Sequence, residues 1–143
     1  MNVPVKILIG LAAAMLMAWV WHGPGGQGEA LVGHLERQAV AATADAELPG
    51  ITVRMARDPL ARTAIISGPA NDLQREGLGS QFGVKDYVRA VPGIANVRWD
   101  DEPAGSGLPL LVETLIAVAV AYLIGLALGA LLFGRRKRQS FLD

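Results

Sequence analysis

The sequence predicts an α+β chain, a small domain of order α-β-β-α-β between two transmembrane helices. Three observations carry that reading. Residues 114–133, TLIAVAVAYLIGLALGALLF, hold no charge and no proline, and at 1.5 Å per residue a helix of that length spans about 30 Å, the hydrocarbon thickness of a bilayer. A shorter apolar run, ILIGLAAAMLMAWVW at 7–21, stands near the N-terminus. Between the two, the apolar period changes from every third or fourth residue to every second and back.

The first run is 15 residues long, short for a span and long for the core of a signal peptide. It reaches back to Val3 if Lys6 carries its ammonium out to the headgroups, and Trp19, Trp21 and His22 then form an aromatic belt at the far interface. The following HGPGGQGEA has no clean A-x-A site, so residues 1–21 are assigned as a retained anchor, with a cleaved signal peptide as the alternative. Residues 22–28 and 101–107 are rich in glycine, proline and charge and read as flexible linkers around a domain at 29–100.

That domain opens with EALVGHLERQAVAATAD, in which Leu31, Leu35, Ala39 and Ala42 form one apolar helical stripe with Glu36 and Arg37 outside it. In ITVRMA, Ile51, Val53 and Met55 alternate with Thr52 and Arg54, a half-buried strand. Asp58 and Pro59 supply a turn into RTAIISG, a second strand, which predicts an antiparallel hairpin. A helix follows, with Asn71 and Asp72 as capping candidates and Pro92-Gly93 at its end. Gly77, Gly79 and Gly83 each cost about 1 kcal/mol in a helix interior, and Ser80 could cap a new start, so a break near 77–80 is expected, with at least one glycine at positive φ. IANVRW closes the domain as a third strand with Val97 and Trp99 on one face. The second span is assigned to 108–134 and a basic tail to 135–143.

Lys6 precedes the first span, and Arg135, Arg136, Lys137 and Arg138 follow the second. The positive-inside rule then places both ends in the cytoplasm and the domain outside, with these five residues as headgroup and stop-transfer contacts. Between 22 and 107 eight basic residues face eleven acidic ones, a net charge of minus three, which argues against nucleic acid as a partner. The chain has no cysteine, which suits either redox compartment.

The element order, the AIISG strand ending at Gly68, the polar helix after it and the stretch VRAVPGIANVRW resemble the BON domain. That family is named for bacterial osmotic-shock and nodulation proteins, and its second helix typically ends in a V-P-G-V-x-x-V signature. The resemblance covers about residues 29–100, half of the chain, and places Gly93 at the reversal after the helix and Val97 inside. The chain departs from the pattern in EGLGSQFG and in carrying one copy of a domain often found in tandem. The resemblance implies a module of the bacterial envelope, here periplasmic and anchored to the inner membrane, that contacts phospholipid or other envelope components and is not an enzyme.

The chemistry-bearing residues are few. His22 and His34 have no second histidine or cysteine at ligand spacing, and GLGSQFG lacks the lysine of a phosphate loop and has Leu78 where a nucleophile elbow needs glycine. Asp100, Asp101 and Glu102 read as a solvated run, since no glycine-turned ligand loop surrounds them. No catalytic residue, metal or cofactor is assigned. Ala117, Ala121, Gly125 and Gly129 recur every four residues, a small-residue face that suits helix association, though glycine and alanine are also common in spans generally. Its partner is a second copy, the chain's own first span with Gly10, Ala13 and Ala14, or another membrane protein. Glu113 is expected wet at the outer interface, and if deeper it needs a partner. Leu78, Gly79, Ser80 and Phe82 form the candidate binding loop, facing membrane lipid or a protein. Three functional classes follow: an envelope binding or scaffold module, an accessory subunit of a larger membrane complex docked through the small-residue face, and a membrane-bound enzyme or transporter, which two spans without a membrane-buried charge pair or a catalytic set disfavour.

Overall fold

The computed structural model describes residues 2–79, 81–103, 105 and 107–133. Two apolar helices, α1 (Val3–His22) and α5 (Leu110–Phe133), flank a mixed α+β unit. That unit contains α2 (Gln27–Ala44), β1 (Thr52–Arg57), β2 (Leu60–Ser67), α3 (Asp72–Glu76), α4 (Val84–Arg89) and β3 (Asn96–Trp99). The three strands make one sheet of order β1-β2-β3. β1 and β2 are antiparallel, and β3 runs parallel to β2 because the helical segment α3–α4 returns the chain to the end where β2 began.

Alternation does what the sequence implies. Val53 and Met55 of β1, Ala64 and Ile66 of β2, and Val97 and Trp99 of β3 enter one core with Val84 and Val88 of α4. α2 covers the same face, but with a stripe of Gly28, Val32, Leu35, Ala39 and Thr43. Leu31, expected inside, is 42% exposed. The adjacent Leu31 and Val32 make two apolar stripes possible, and the inner one tolerates Thr43 because its hydroxyl donates to the Val40 carbonyl at 2.8 Å. Glu36, expected outside, is half-buried and accepts the Met55 N–H at 2.9 Å, where the ladder between β1 and β2 shifts register.

Both glycine-rich stretches make contacts through their described residues. After α1 the chain turns at once, with Gly25 N–H donating to Val20 and Gly26 N–H to Gly23, so that Gly28 sits against the His22 imidazole. At the other side Pro109 bridges to Ala61, and Gly107 lies against the Thr63 hydroxyl. This return strap covers the second face of β2, which explains why Ala61, Thr63 and Ile65 are buried as well as Ala64 and Ile66. Leu110, the first residue of α5, belongs to the domain core.

α1 and α5 are each long and apolar enough to cross a membrane. They pack on one another, with Tyr122 Oη donating to the Ile7 carbonyl at 2.9 Å and its ring lying on Gly10.

Candidate functional site

The interruption between α3 and α4 is a built loop. Asn71 caps α3 reciprocally, its side chain accepting from Gln74 N–H at 2.9 Å while Gln74 accepts from Asn71 N–H at 3.0 Å. Gly77 then ends the helix at φ 74 and ψ 178, a region essentially closed to other residues. Leu78 and Gln81 exchange two backbone hydrogen bonds of 3.1 and 3.0 Å. α4 starts when Gly83 N–H donates to the Asp86 carboxylate at 3.0 Å, so Gly83 rather than Ser80 is its N-terminal cap. Gly79 has φ 60 and faces open space, while Gly83 is at φ −86. Ser80 lies outside the described residues.

The loop turns its apolar side chains outward. Leu78 is 72% exposed and Phe82 73%, with Leu73 of α3 at 48%. Phe82 meets Tyr87 edge to face at 6.1 Å. Beside them opens a groove of about 480 Å³, walled on one side by Leu73, Phe82, Val84 and Tyr87 and on the other by Ala46 and Leu48, just past the end of α2. α2 runs about 27 Å from the turn that meets α1 to this groove, so the loop stands at the end of the domain opposite the apolar helices.

Charge is divided along the same axis. Asp45, Glu47, Asp72, Glu76, Asp86, Asp100, Asp101 and Glu102 gather at the groove end with Arg75, Lys85 and Arg98, eight carboxylates against three cations for a net of minus five. All three cations are engaged, Arg98 by donating to the Trp99 and Glu102 carbonyls at 3.1 and 3.0 Å. Arg75 donates to Asp101 at 2.7 Å and lies 4.4 Å from the ring centre of the fully buried Trp99. The Asp101 hydrogen bond lifts the guanidinium further above its ordinary value, and the reciprocal bond holds the Asp101 carboxyl below the usual range. Lys85, with 13% of its side chain exposed, reaches Glu76 at 2.6 Å and Glu102 at 2.7 Å. Burial presses its ammonium downward, but the bonds to Glu102 and Glu76 outweigh that and raise it. Glu102 is held low by the bond from Lys85, against its own burial, with help from Trp99 N–H at 3.0 Å. The acidic run 100–102 is therefore anchored where the sequence suggested solvent. Among the described residues Trp99 Nε1 has no hydrogen-bond partner, and no group of three or more His, Asp or Glu is placed to hold a metal ion.

The opposite end is joined to α5 by one ion pair, and a second set ties β1 to α2. Arg62 Nε donates to Glu113 Oε2 at 2.7 Å and Arg62 Nη1 to the Gly93 carbonyl at 3.2 Å, which gives Glu113 a partner from the domain. Arg57 contacts Glu29 at 2.7 Å and Glu36 at 3.2 Å. Of the small-residue face, Ala117, Ala121 and Gly125 are exposed and Gly129 is half-buried, because α1 packs on the neighbouring face through Tyr122. On α1, Gly10 and Ala14 lie toward α5 and Ala13 is exposed. Lys6 is exposed in the first turns of α1, and Arg135, Arg136, Lys137 and Arg138 lie outside the described residues.

No family model, curated protein or solved structure matches this chain. Two features escaped the sequence: the Ala46 and Leu48 wall, which no local period signals, and the pairing of Arg62 with Glu113, residues 51 positions apart.

Proposed function

We propose that the chain is a BON-like binding or scaffold module held at the outer face of a bacterial inner membrane by two spans, with both termini cytoplasmic, and that it works without catalysis. One observation carries this reading: the domain is fastened to the apolar helix pair at one end and presents Leu78, Phe82 and an open groove at the other. Surface apolar side chains clustered on a loop with a rigid base suit recognition of another molecule.

The test has two arms. A thiol reagent that cannot cross membranes should label Asp100→Cys in cells with a permeable outer layer and spare Ser140→Cys; the reverse pattern would overturn the topology. A photoactivatable aromatic residue at position 82 should capture a molecule in cells, whereas the same residue at the exposed position Gln38 of α2 should not. Absence of any adduct at 82 would remove the binding face.

A second reading is favoured by the uncovered stretch Ala117, Ala121 and Gly125, which suits an accessory subunit docked on another membrane protein or on a second copy. In that case Gly125→Ile should abolish co-purification in mild detergent while adducts at position 82 persist or are absent from the start.

A further inference from the structure

Resting on the reading of the Leu78–Phe82 loop as a binding face, we propose that its occupant is a polypeptide segment whose apolar side chains stand among lysines or arginines, and that the loop does not dock on a lipid surface. The apolar part of the argument is the contiguous exposure of Leu73, Leu78 and Phe82 beside a groove of about 480 Å³, which lies within the range that side-chain and small-ligand pockets occupy. The electrostatic part is the collar. Asp45 and Glu47 flank the groove wall residues Ala46 and Leu48, and Asp72 adjoins Leu73. Among the described residues none of these three has a cation within bridging distance, whereas Glu76, Glu102 and Asp101 are already paired with Lys85 and Arg75.

A surplus of five negative charges at the end that carries the apolar patch selects by sign. Anionic headgroups, which attract basic segments, repel this collar. A basic segment is drawn in, and its apolar side chains are then the groups that fill the groove. An acidic partner would have to desolvate like charges against one another. The location agrees: the loop stands at the end of α2 remote from the apolar helices.

The experiment uses the full chain in phosphatidylcholine nanodiscs, with empty nanodiscs as the blank. Three fluorescent 15-residue peptides serve as probes, one built of leucine, phenylalanine and lysine, its counterpart with glutamate for lysine, and a lysine–serine peptide without apolar residues. Anisotropy should report binding of the first alone, weakened about tenfold or more between 20 and 200 mM salt as the screening length shortens. Phe82→Ser should weaken it about tenfold; at 73% exposure this change leaves the core intact, which an unaltered near-UV spectrum verifies. Asp45→Asn/Glu47→Gln/Asp72→Asn should reduce the salt dependence while sparing the fold. Equal binding of the glutamate peptide, or no effect of Phe82→Ser, overturns the proposal. So does a lipid or an acidic protein as the adduct at position 82, a result that leaves the binding face itself standing.

Discussion

Two alanine substitutions only two residues apart should differ several-fold in cost if the α3–α4 interruption is a built loop. Gly79 sits at φ 60 with nothing near the position of an added Cβ. Alanine there meets only the left-handed penalty, about 1–2 kcal/mol, less about 0.4–1 kcal/mol for the stiffer unfolded chain, a net loss of about 1 kcal/mol. Gly77 is different. Its φ 74 and ψ 178 fall in the glycine-only region, worth about 1–3 kcal/mol, and its Cβ would press on the Gln81 carbonyl oxygen and lie 2.7 Å from Gly83 N. Those are backbone atoms, so relief requires opening the two Leu78–Gln81 hydrogen bonds, at about 1 kcal/mol each. Gly77→Ala should therefore cost about 3–5 kcal/mol. For a domain of this size 1 kcal/mol moves the midpoint by about 4–8 °C, so Gly79→Ala should melt a few degrees lower and Gly77→Ala more than 12 °C lower, as ~3 kcal/mol implies. The assay is fluorescence of the fully buried Trp99 in the full chain in detergent micelles, with Trp19→Phe and Trp21→Phe as background. Equal shifts, or a rise with Gly77→Ala, would mean that α3 and α4 are one poor helix, and the loop with its exposed side chains would go.

The ion pair that fastens the domain to α5 should behave as a unit: Arg62→Met and Glu113→Gln should each cost about 1 kcal/mol, the modest value of a half-exposed pair, and the double variant little more than either, by a double-mutant cycle of melting midpoints; full additivity would deny the 2.7 Å contact an energetic role. Acid should unfold the groove end first. Because the folded values of Asp101 and Glu102 lie below their ordinary ones, their contribution is complete above about pH 5 and is lost as the pH falls through the depressed values. Lys85, raised when folded, contributes fully below its ordinary value near 10.4 and loses its effect only as the pH climbs past it. Melting midpoints should thus be flat between about pH 5 and 9, and Glu102→Gln should flatten the acid limb; an unchanged limb would place the acid sensitivity elsewhere.

Local pattern made the strands legible. Val53 and Met55, then Val97 and Trp99, declare their faces by alternation alone, and three glycines within seven residues announced the break that Gly77 makes. What failed was wherever two local solutions were equally apolar or where composition stood in for contact. Leu31 and Val32 are neighbours of similar hydrophobicity, so the helical face slipped by one residue until β1 and β2 chose between them. Glycine and proline at 22–28 and 101–107 suggested freedom, but small residues also permit close approach, as Gly28 to His22 and Gly107 to Thr63 show. Parallel pairing of β3 with β2 could not be read at all, since no residue in either strand encodes which neighbour it takes.

The charge division is the least legible feature and the one on which the proposed recognition of a cationic partner turns. A total of minus three for residues 22–107 describes a mildly acidic surface with no direction. Folding sorts it, because the parallel return of β3 carries Asp100, Asp101 and Glu102 to the end where α2 has already delivered Asp45 and Glu47 and where α3 begins with Asp72. Arg57 and Arg62 are drawn to the other end by the β1–β2 turn and spent on Glu29, Glu36 and Glu113. Crowding a net of five negative charges at one pole works against the compact state through their mutual repulsion. The half-buried Lys85, bonded to two carboxylates, and Arg75, laid over Trp99, relieve only the part of that repulsion nearest the core. The carboxylates left over are those beside the exposed apolar groove, so the repulsion that folding leaves unrelieved is available to a cationic partner that binds there.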